Sequence, residues 1–383
     1  FIRSPLTPLF LIAAFAVGLV ALFTLPREED PQISVPMVDI HVRADGLKAP
    51  DAVKLITEPL EGIVRGINGV EHVYSQTNDD NVLVTARFEV GTSADTAILR
   101  VHEKIRANLD KIPVGIPEPL IVGRGINDVA VVDLTLSPDP KFAGSVTSNQ
   151  LTQIARALRV QVAKIDNVGL TYLVGAADER IRVAPDLEKL ALYGVTLQQL
   201  AAKAGGANMA FPAGTVRDKG LEIGVVAGRT LSAPDEIGKL MLTTRDDRPV
   251  YVRDVADVSL VTTPTSELVS IMNREDNNVV RSPAVTLAIA KRAGSNAVVV
   301  ADQVLQRVQE LKSSIIPDFV NVAVTRNYGA TADEKSNELL FHLGLATISI
   351  VVLIWLAIGW REAVVVAIVI PVTILLTLFA ARI

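Results

Sequence analysis

The sequence predicts a membrane protein of mixed class, with α-helical transmembrane segments and an α+β domain, and three observations carry that prediction. Charge-free apolar runs stand at the ends of the chain, Ser4 to Pro26, Leu339 to Trp360 and Ala363 to Ala381. The polar sequence between the first two alternates β-type segments of period two with helical segments of period 3.6. That alternation occurs twice, the second time with an insertion.

Each apolar run is bracketed by charges: Arg3 and Arg27, Glu338 and Arg361, Glu362 and Arg382. Each is long enough to cross about 30 Å of hydrocarbon as a helix. A cleaved signal peptide would account only for the first, which is too long and lacks a small-x-small site before the cluster at Arg27 to Pro31. Parity then places the intervening domain and an expected tight turn at Trp360-Arg361-Glu362 on opposite sides of the membrane. Charge does not orient them. Arg3 and Arg361 on one side face Arg27, Lys335 and Arg382 on the other, and long domains translocate largely regardless of charge. An odd number of spans and a stop at Ile383, directly after the third run, form the pattern of a fragment.

Composition narrows the chemistry. At 383 residues and mean hydropathy +0.37 the chain is apolar, but the excess sits in the three runs and the rest has the make-up of two or three globular domains. A net charge of -5, without a basic stripe and interleaved aromatics, argues against nucleic acid as the main partner. The absence of cysteine excludes disulfides and thiolate metal sites. His41, His72, His102 and His342 are scattered, none at metal-ligand spacing. The acidic pairs Asp79-Asp80, Asp246-Asp247 and Glu275-Asp276 are adjacent residues, which a strand points to opposite faces, so they suit turns better than acid/base catalysis. No nucleophile-elbow, Walker or dinucleotide motif occurs, so the sequence proposes neither an enzyme nor a cofactor. The apolar runs hold no Asp, Glu, Lys or Arg, and a proton relay needs an ionisable group at membrane depth. A relay is therefore not expected in this chain. Pro371, midway along the third run, is either a functional kink or a tolerated transmembrane proline.

In the first copy of the repeat, a strand at Ser34 to Val42 precedes a helix from Pro50 to Ile67 with Val53, Ile56, Leu60, Ile63 and Ile67 on one face. Strands at Val70 to Ser75 and Val82 to Val90 and a helix from Ser93 to about Leu109 complete it. This order closes as a split βαβ, or ferredoxin-like, unit. The second copy has a strand at Val129 to Leu136, a helix from Ser148 to Ile165 and a strand at Leu170 to Val174. It resumes with a strand at Ala284 to Ala290, a helix from Ser295 to about Ile315 and a strand at Val320 to Thr325. Ile67-Asn68-Gly69-Val70 rhymes with Ile165-Asp166-Asn167-Val168, and Gly91-Thr92-Ser93 with Gly294-Ser295-Asn296. The insertion, about Ile181 to Thr263, carries helices at Asp186 to Leu192 and Leu197 to Ala204 and strands at Leu221 to Val226 and Val250 to Val252. Between them lies a Gly/Ala/Pro-rich segment from Gly205 to Gly220, expected as a long hairpin arm.

The segment Leu25 to Pro36, with Gly69-Val70-Glu71, Gly294-Ser295-Asn296 before a long helix ending at Pro317, and Arg361-Glu362 followed by Pro371, resembles the resistance-nodulation-division (RND) efflux permeases of the hydrophobe/amphiphile type. The resemblance runs through the chain in order. It implies a bacterial inner-membrane transporter with its large domain in the periplasm, working by proton antiport as a homotrimer with a periplasmic adaptor (a membrane fusion protein) and an outer-membrane channel, and exporting hydrophobic small molecules. It also divides the chain into transmembrane helix 1 and linker (1–31), porter subdomain PN1 (32–126), the first half of PN2 (127–178), an inserted docking subdomain DN (179–265), the second half of PN2 (266–328), transmembrane helix 2 (329–360) and the start of helix 3 (361–383). The family's paired transmembrane aspartates and second porter half would lie beyond Ile383.

By position in the family, Asn127, Val129, Leu173, Glu267 and Met272 are the substrate-binding candidates, with sheet core as the alternative for all five. Val129 and Leu173 stand where related drug pumps place phenylalanines, which implies a less aromatic pocket. Gly205, Pro212, Gly214 and Gly220 mark the arm that threads into a neighbouring protomer. The polar face of the helix from Ser93 to Leu109, with Arg100, Glu103, Lys104 and Arg106, would line a central pore or face solvent. Competing readings are a metal-ion or lipid exporter of the same superfamily and a membrane-anchored periplasmic sensor. Against the sensor, Arg361-Glu362 leads straight back into the membrane. Against metal, Met37, Met209, Met241 and Met272 do not cluster in sequence.

Overall fold

A computed structural model describes residues 6–28, 35–142, 144–218, 220–228, 230–263, 267–275 and 278–380. Residues 29–34 of the segment that carries the resemblance lie outside the described residues. The chain divides into two compact units, one of Phe1–Asp139, Ile154–Leu173 and Thr286–Ile383, the other of Pro140–Gln153 and Val174–Val285.

The first unit begins with the apolar helix α1 (Leu6–Thr24), followed by β1 (Met37–Arg43). The helix expected as continuous from Pro50 is built in three pieces, α2 (Ala49–Ala52), a π-helical turn (Val53–Thr57) and α3 (Glu58–Arg65). Pro59 explains the wide turn, because proline brings no N–H and its ring clashes with the carbonyl four residues back in a regular α-helix. Then come β2 (Val70–Asn78), β3 (Asn81–Phe88), α4 (Ala94–Arg106) and β4 (Leu120–Arg124). The four strands form an antiparallel sheet in the order β2-β3-β1-β4. Val38, Ile40 and Val42 of β1 and Val84, Ala86 and Phe88 of β3 bury one face under Ile56, Leu60, Ile63, Val101 and Ile105 of the helices. The strand β4 is a correction to the sequence reading. Its five residues sit at the sheet edge, with Leu120 exposed, so they carry little of the alternation that reveals longer strands.

The second sheet starts with β5 (Ala130–Pro138), α5 (Ser148–Val162) and β6 (Val168–Val174). The inserted stretch supplies the second unit with β7 (Glu179–Pro185), α6 (Leu187–Tyr193), α7 (Leu197–Ala207), β8 (Ala210–Asp218), β9 (Leu221–Gly228), α8 (Pro234–Gly238), β10 (Met241–Arg245), β11 (Arg248–Tyr251), α9 (Val252–Val255) and β12 (Ala256–Thr262). Its core is small: Leu190, Val195, Leu200, Val250, Val252 and Val255. Two caps start its helices, with Asp186 accepting from the Glu188 and Lys189 N–H groups and Thr196 forming a reciprocal box with Gln199. The arm is also corrected. Gly205 lies within α7, and the hairpin is β8 with β9, running from Ala210 to Gly228. The Gly/Ala content of residues 205–207 misled because a helix end tolerates those residues as readily as a loop does.

Closing the second sheet are β13 (Val269–Glu275), absent from the sequence reading, and β14 (Asn278–Lys291), twice the length expected, then α10 (Ala297–Glu310), shorter than expected, and β15 (Val320–Asn327). The strand order is β13-β14-β5-β15, with β6 also on β14. The chain continues into α11 (Tyr328–Ala357) and α12 (Trp360–Ala380), both long and apolar enough to cross a membrane. The turn expected at Trp360-Arg361-Glu362 lies instead at Ile358-Gly359, where Gly359 takes φ 148° and Trp360 already opens α12. Only glycine adopts that conformation without strain, and Glu362 is then placed in a helix's first turn, where acidic side chains are favoured. The helix α1 packs on α12 through Gly18 and Ala21, so closely that a Cβ on Gly18 would collide with Leu375.

Candidate functional site

The five substrate candidates divide between the units, and none is buried. In the first unit Asn127 sits in a 3-10 turn (Ile126–Asp128), closed by the Gly125 N–H donating to Asp128 Oδ2 at 2.8 Å. Val129 follows that turn, one residue before β5, and is 41% exposed. Leu173 is half-buried near the end of β6. In the second unit Glu267 is exposed ahead of β13, and Met272, 63% exposed, stands on β13 opposite Arg281 of β14. The burial of sheet-core residues such as Val132 and Leu134, both at 0%, sets these five apart from the core.

The sequence reading passed over the polar face of β5. Val132, Leu134 and Leu136 point to one side of this strand, and Asp133, Thr135 and Ser137 to the other. Thr135 Oγ1 lies 2.9 Å from the hydroxyls of both Thr286 and Thr325, which joins three strands by a row of hydroxyls. Among the described residues Asp133 Oδ2 meets only Arg326 Nε, at 3.4 Å, while Oδ1 is buried without a partner. Burial pushes the Asp133 carboxyl above the ordinary carboxylate range, and Arg326 pulls it partly back. Arg326 in turn lies over the Tyr328 ring, 5.1 Å from its centroid. The signal was present in the sequence: polar residues at alternate positions of an otherwise apolar strand.

Just after α1 the chain is tied down by charge. Arg27 donates to Asp333 of α11 at 2.8 Å, and its carbonyl accepts from the Ala297 N–H at the start of α10. Lys291 Nζ, at the end of β14, donates to Glu28 Oε1 at 2.9 Å, with side chains only 9% and 17% exposed. Such a pair is costly to break, because the surviving charge stays buried without its opposite charge. The segment leaving the first apolar helix is thereby held to β14, α10 and α11 together.

On the hairpin, Pro212 and Gly214 flank a register shift and Gly214 takes φ 117°, while Gly220 takes φ 83°. Phe211, Val216, Leu221, Ile223 and Val226 are all more than half exposed, so neither face of this ribbon is covered by the described residues. On α4, Arg100 donates to the Asn68 carbonyl at 3.0 Å and Arg106 pairs with Glu118 at 3.3 Å. Two of the four charges expected on its polar face are thus engaged locally, while the Glu103 and Lys104 side chains remain exposed.

Across residues 1–382 the sequence matches the AcrB/AcrD/AcrF family, a family of RND transporters, and the chain belongs to it.

Proposed function

We propose that this chain is the N-terminal part of a proton-driven multidrug efflux transporter of the hydrophobe/amphiphile type. It would act in the bacterial inner membrane, as a homotrimer, with a periplasmic adaptor and an outer-membrane channel. On this reading residues 32–126 form PN1, residues 127–178 and 266–328 form PN2, and residues 179–265 form DN. The observation that carries the reading is the exposure of apolar side chains at the family's pocket positions, Val129 in one unit and Met272 in the other. The uncovered ribbon β8–β9 supports a protein partner for the arm, since contiguous exposed apolar surface of this kind marks an interaction site.

The test is efflux of an aromatic cationic dye from cells lacking their own pumps, with the intact protein expressed. Efflux that a protonophore abolishes is expected, and loading identical to that of empty cells would overturn the reading. In the same assay Val129→Phe is expected to raise efflux of aromatic dyes by about two- to tenfold, the range one aromatic contact supplies. Unchanged efflux in that variant removes Val129 from the pocket.

A further inference from the structure

A groove of about 240 Å³ opens between α11 and α12 at the end where the helices turn. Val351, Val352 and Trp355 line it from α11, and Trp360, Ala363 and Ala367 from α12, with almost no polar surface among them. From Trp360 to Ala367 it runs roughly 10 Å along the helix, away from the turn and into the apolar span. Trp355 and Trp360 are 57% and 64% exposed and frame the mouth. Tryptophan favours that depth, where a membrane passes from hydrocarbon to headgroups.

Two opposite charges lie in the chain between the lining residues Trp360 and Ala363. Arg361 and Glu362 are both exposed, and among the described residues neither has an ion-pair partner. The Arg361 guanidinium rests over the Trp360 ring, 5.7 Å from its centroid. The Glu362 carboxylate lies against the turn, where a Cβ on Gly359 would come within 3.0 Å of Oε2. A slot for hydrocarbon with one unpaired cation and one unpaired anion at its rim is complementary to a zwitterionic lipid. Of the two charges, the guanidinium suits a phosphate and the carboxylate suits an ammonium that has N–H groups to donate.

We infer that this groove seats one aminophospholipid, its acyl chain between Trp355 and Ala367, its phosphate on Arg361 and its ammonium on Glu362. The inference requires that α11 and α12 cross a bilayer and that the groove faces lipid in the intact protein, and it stands apart from any reading of the exported substrate.

The experiment is native mass spectrometry of the intact protein, offered phosphatidylethanolamine, phosphatidylcholine and phosphatidylglycerol in equal amounts. Phosphatidylethanolamine is expected to be retained about tenfold over the other two, the worth of one charge-assisted hydrogen bond. Arg361→Gln lowers retention of all three lipids, whereas Glu362→Gln removes only the preference for the ethanolamine headgroup. A photoreactive benzoylphenylalanine at position 364 is expected to label lipid. Equal retention of the three lipids, a preference that survives Glu362→Gln, or labelling of polypeptide in place of lipid would each overturn the assignment.

Discussion

Phe88 and Lys291 occupy the same place in the two sheets, and the molecule treats them in opposite ways. In the first sheet the Glu89 N–H donates to the Gly69 carbonyl at 2.9 Å; in the second the Arg292 N–H donates to the Asn167 carbonyl at 2.8 Å. Gly69 and Asn167 both adopt the left-handed conformation, at φ 87° and 64°, as do Gly91 and Gly294 two residues beyond the donors. The last core position of the strand is therefore Phe88 in one copy, fully buried among hydrocarbon, and Lys291 in the other. An ammonium there needs an anion, and Glu28 supplies it from just beyond the first apolar helix. The first sheet closes its core upon itself. The second leaves a charge that only another part of the chain can satisfy, and so becomes the sheet to which the membrane helices are fastened.

The largest effect should come from breaking that difference. Lys291→Ala removes the ammonium that the buried Glu28 carboxylate faces and is expected to cost about 3–5 kcal/mol, read as a lowered unfolding midpoint in detergent. The double change Glu28→Gln with Lys291→Met makes the second sheet resemble the first and should recover much of the loss. A silent Lys291→Ala would mean that the pair does not fasten the helices.

The shared turn gives a smaller test. Gly69→Ala puts a Cβ on a left-handed residue and should cost about 1–2 kcal/mol. Asn167→Gly, at the matching place, relieves a milder strain and should change the midpoint little. Equal losses at both positions would deny that the two turns are one device.

Acidic residues provide the finest contrast. In the first sheet Asp39 accepts from Thr85 at 2.7 Å and Arg124 at 2.9 Å, whereas Asp133 in the second has only a loose Arg326 and one orphan oxygen. The raised folded-state value means that native protein holds its Asp133 proton more firmly than unfolded chain does. Stability from this group is fully present below the unfolded carboxylate pKa, about 3.9, and is lost as pH rises through the higher folded value. Asp133→Asn should therefore stabilise by about 1 kcal/mol at neutral pH, with the gain shrinking as pH approaches 4. Melting curves of both proteins across pH 4 to 8 check it, and a gain that grows toward acid would reverse the assigned sign.

Much of this architecture is written locally. The charge-free runs, the 3.6-residue stripe of Ile56, Leu60 and Ile63, and the turn residues Gly69, Asn167, Gly91 and Gly294 are each legible within a few positions, because periodicity and backbone sterics act over that range. The repeat follows from them, and the family resemblance rests on the short segments Leu25 to Pro36, Gly69-Val70-Glu71, Gly294-Ser295-Asn296 and Arg361-Glu362 with Pro371. Tertiary structure alone decided the rest. The strands β4 and β13 exist through their partners at sheet edges, and their own patterns are too short or too mixed to announce them. The turn lies at Gly359 and not at the charges beside it, since the positive φ needs a glycine. Lys291 reads in sequence as an ordinary strand end, and its burial against Glu28 depends on two segments far apart in the chain meeting in space. The exposure of Val129 and Met272, likewise, is a property of what does or does not fold over them, and no local pattern contains that information.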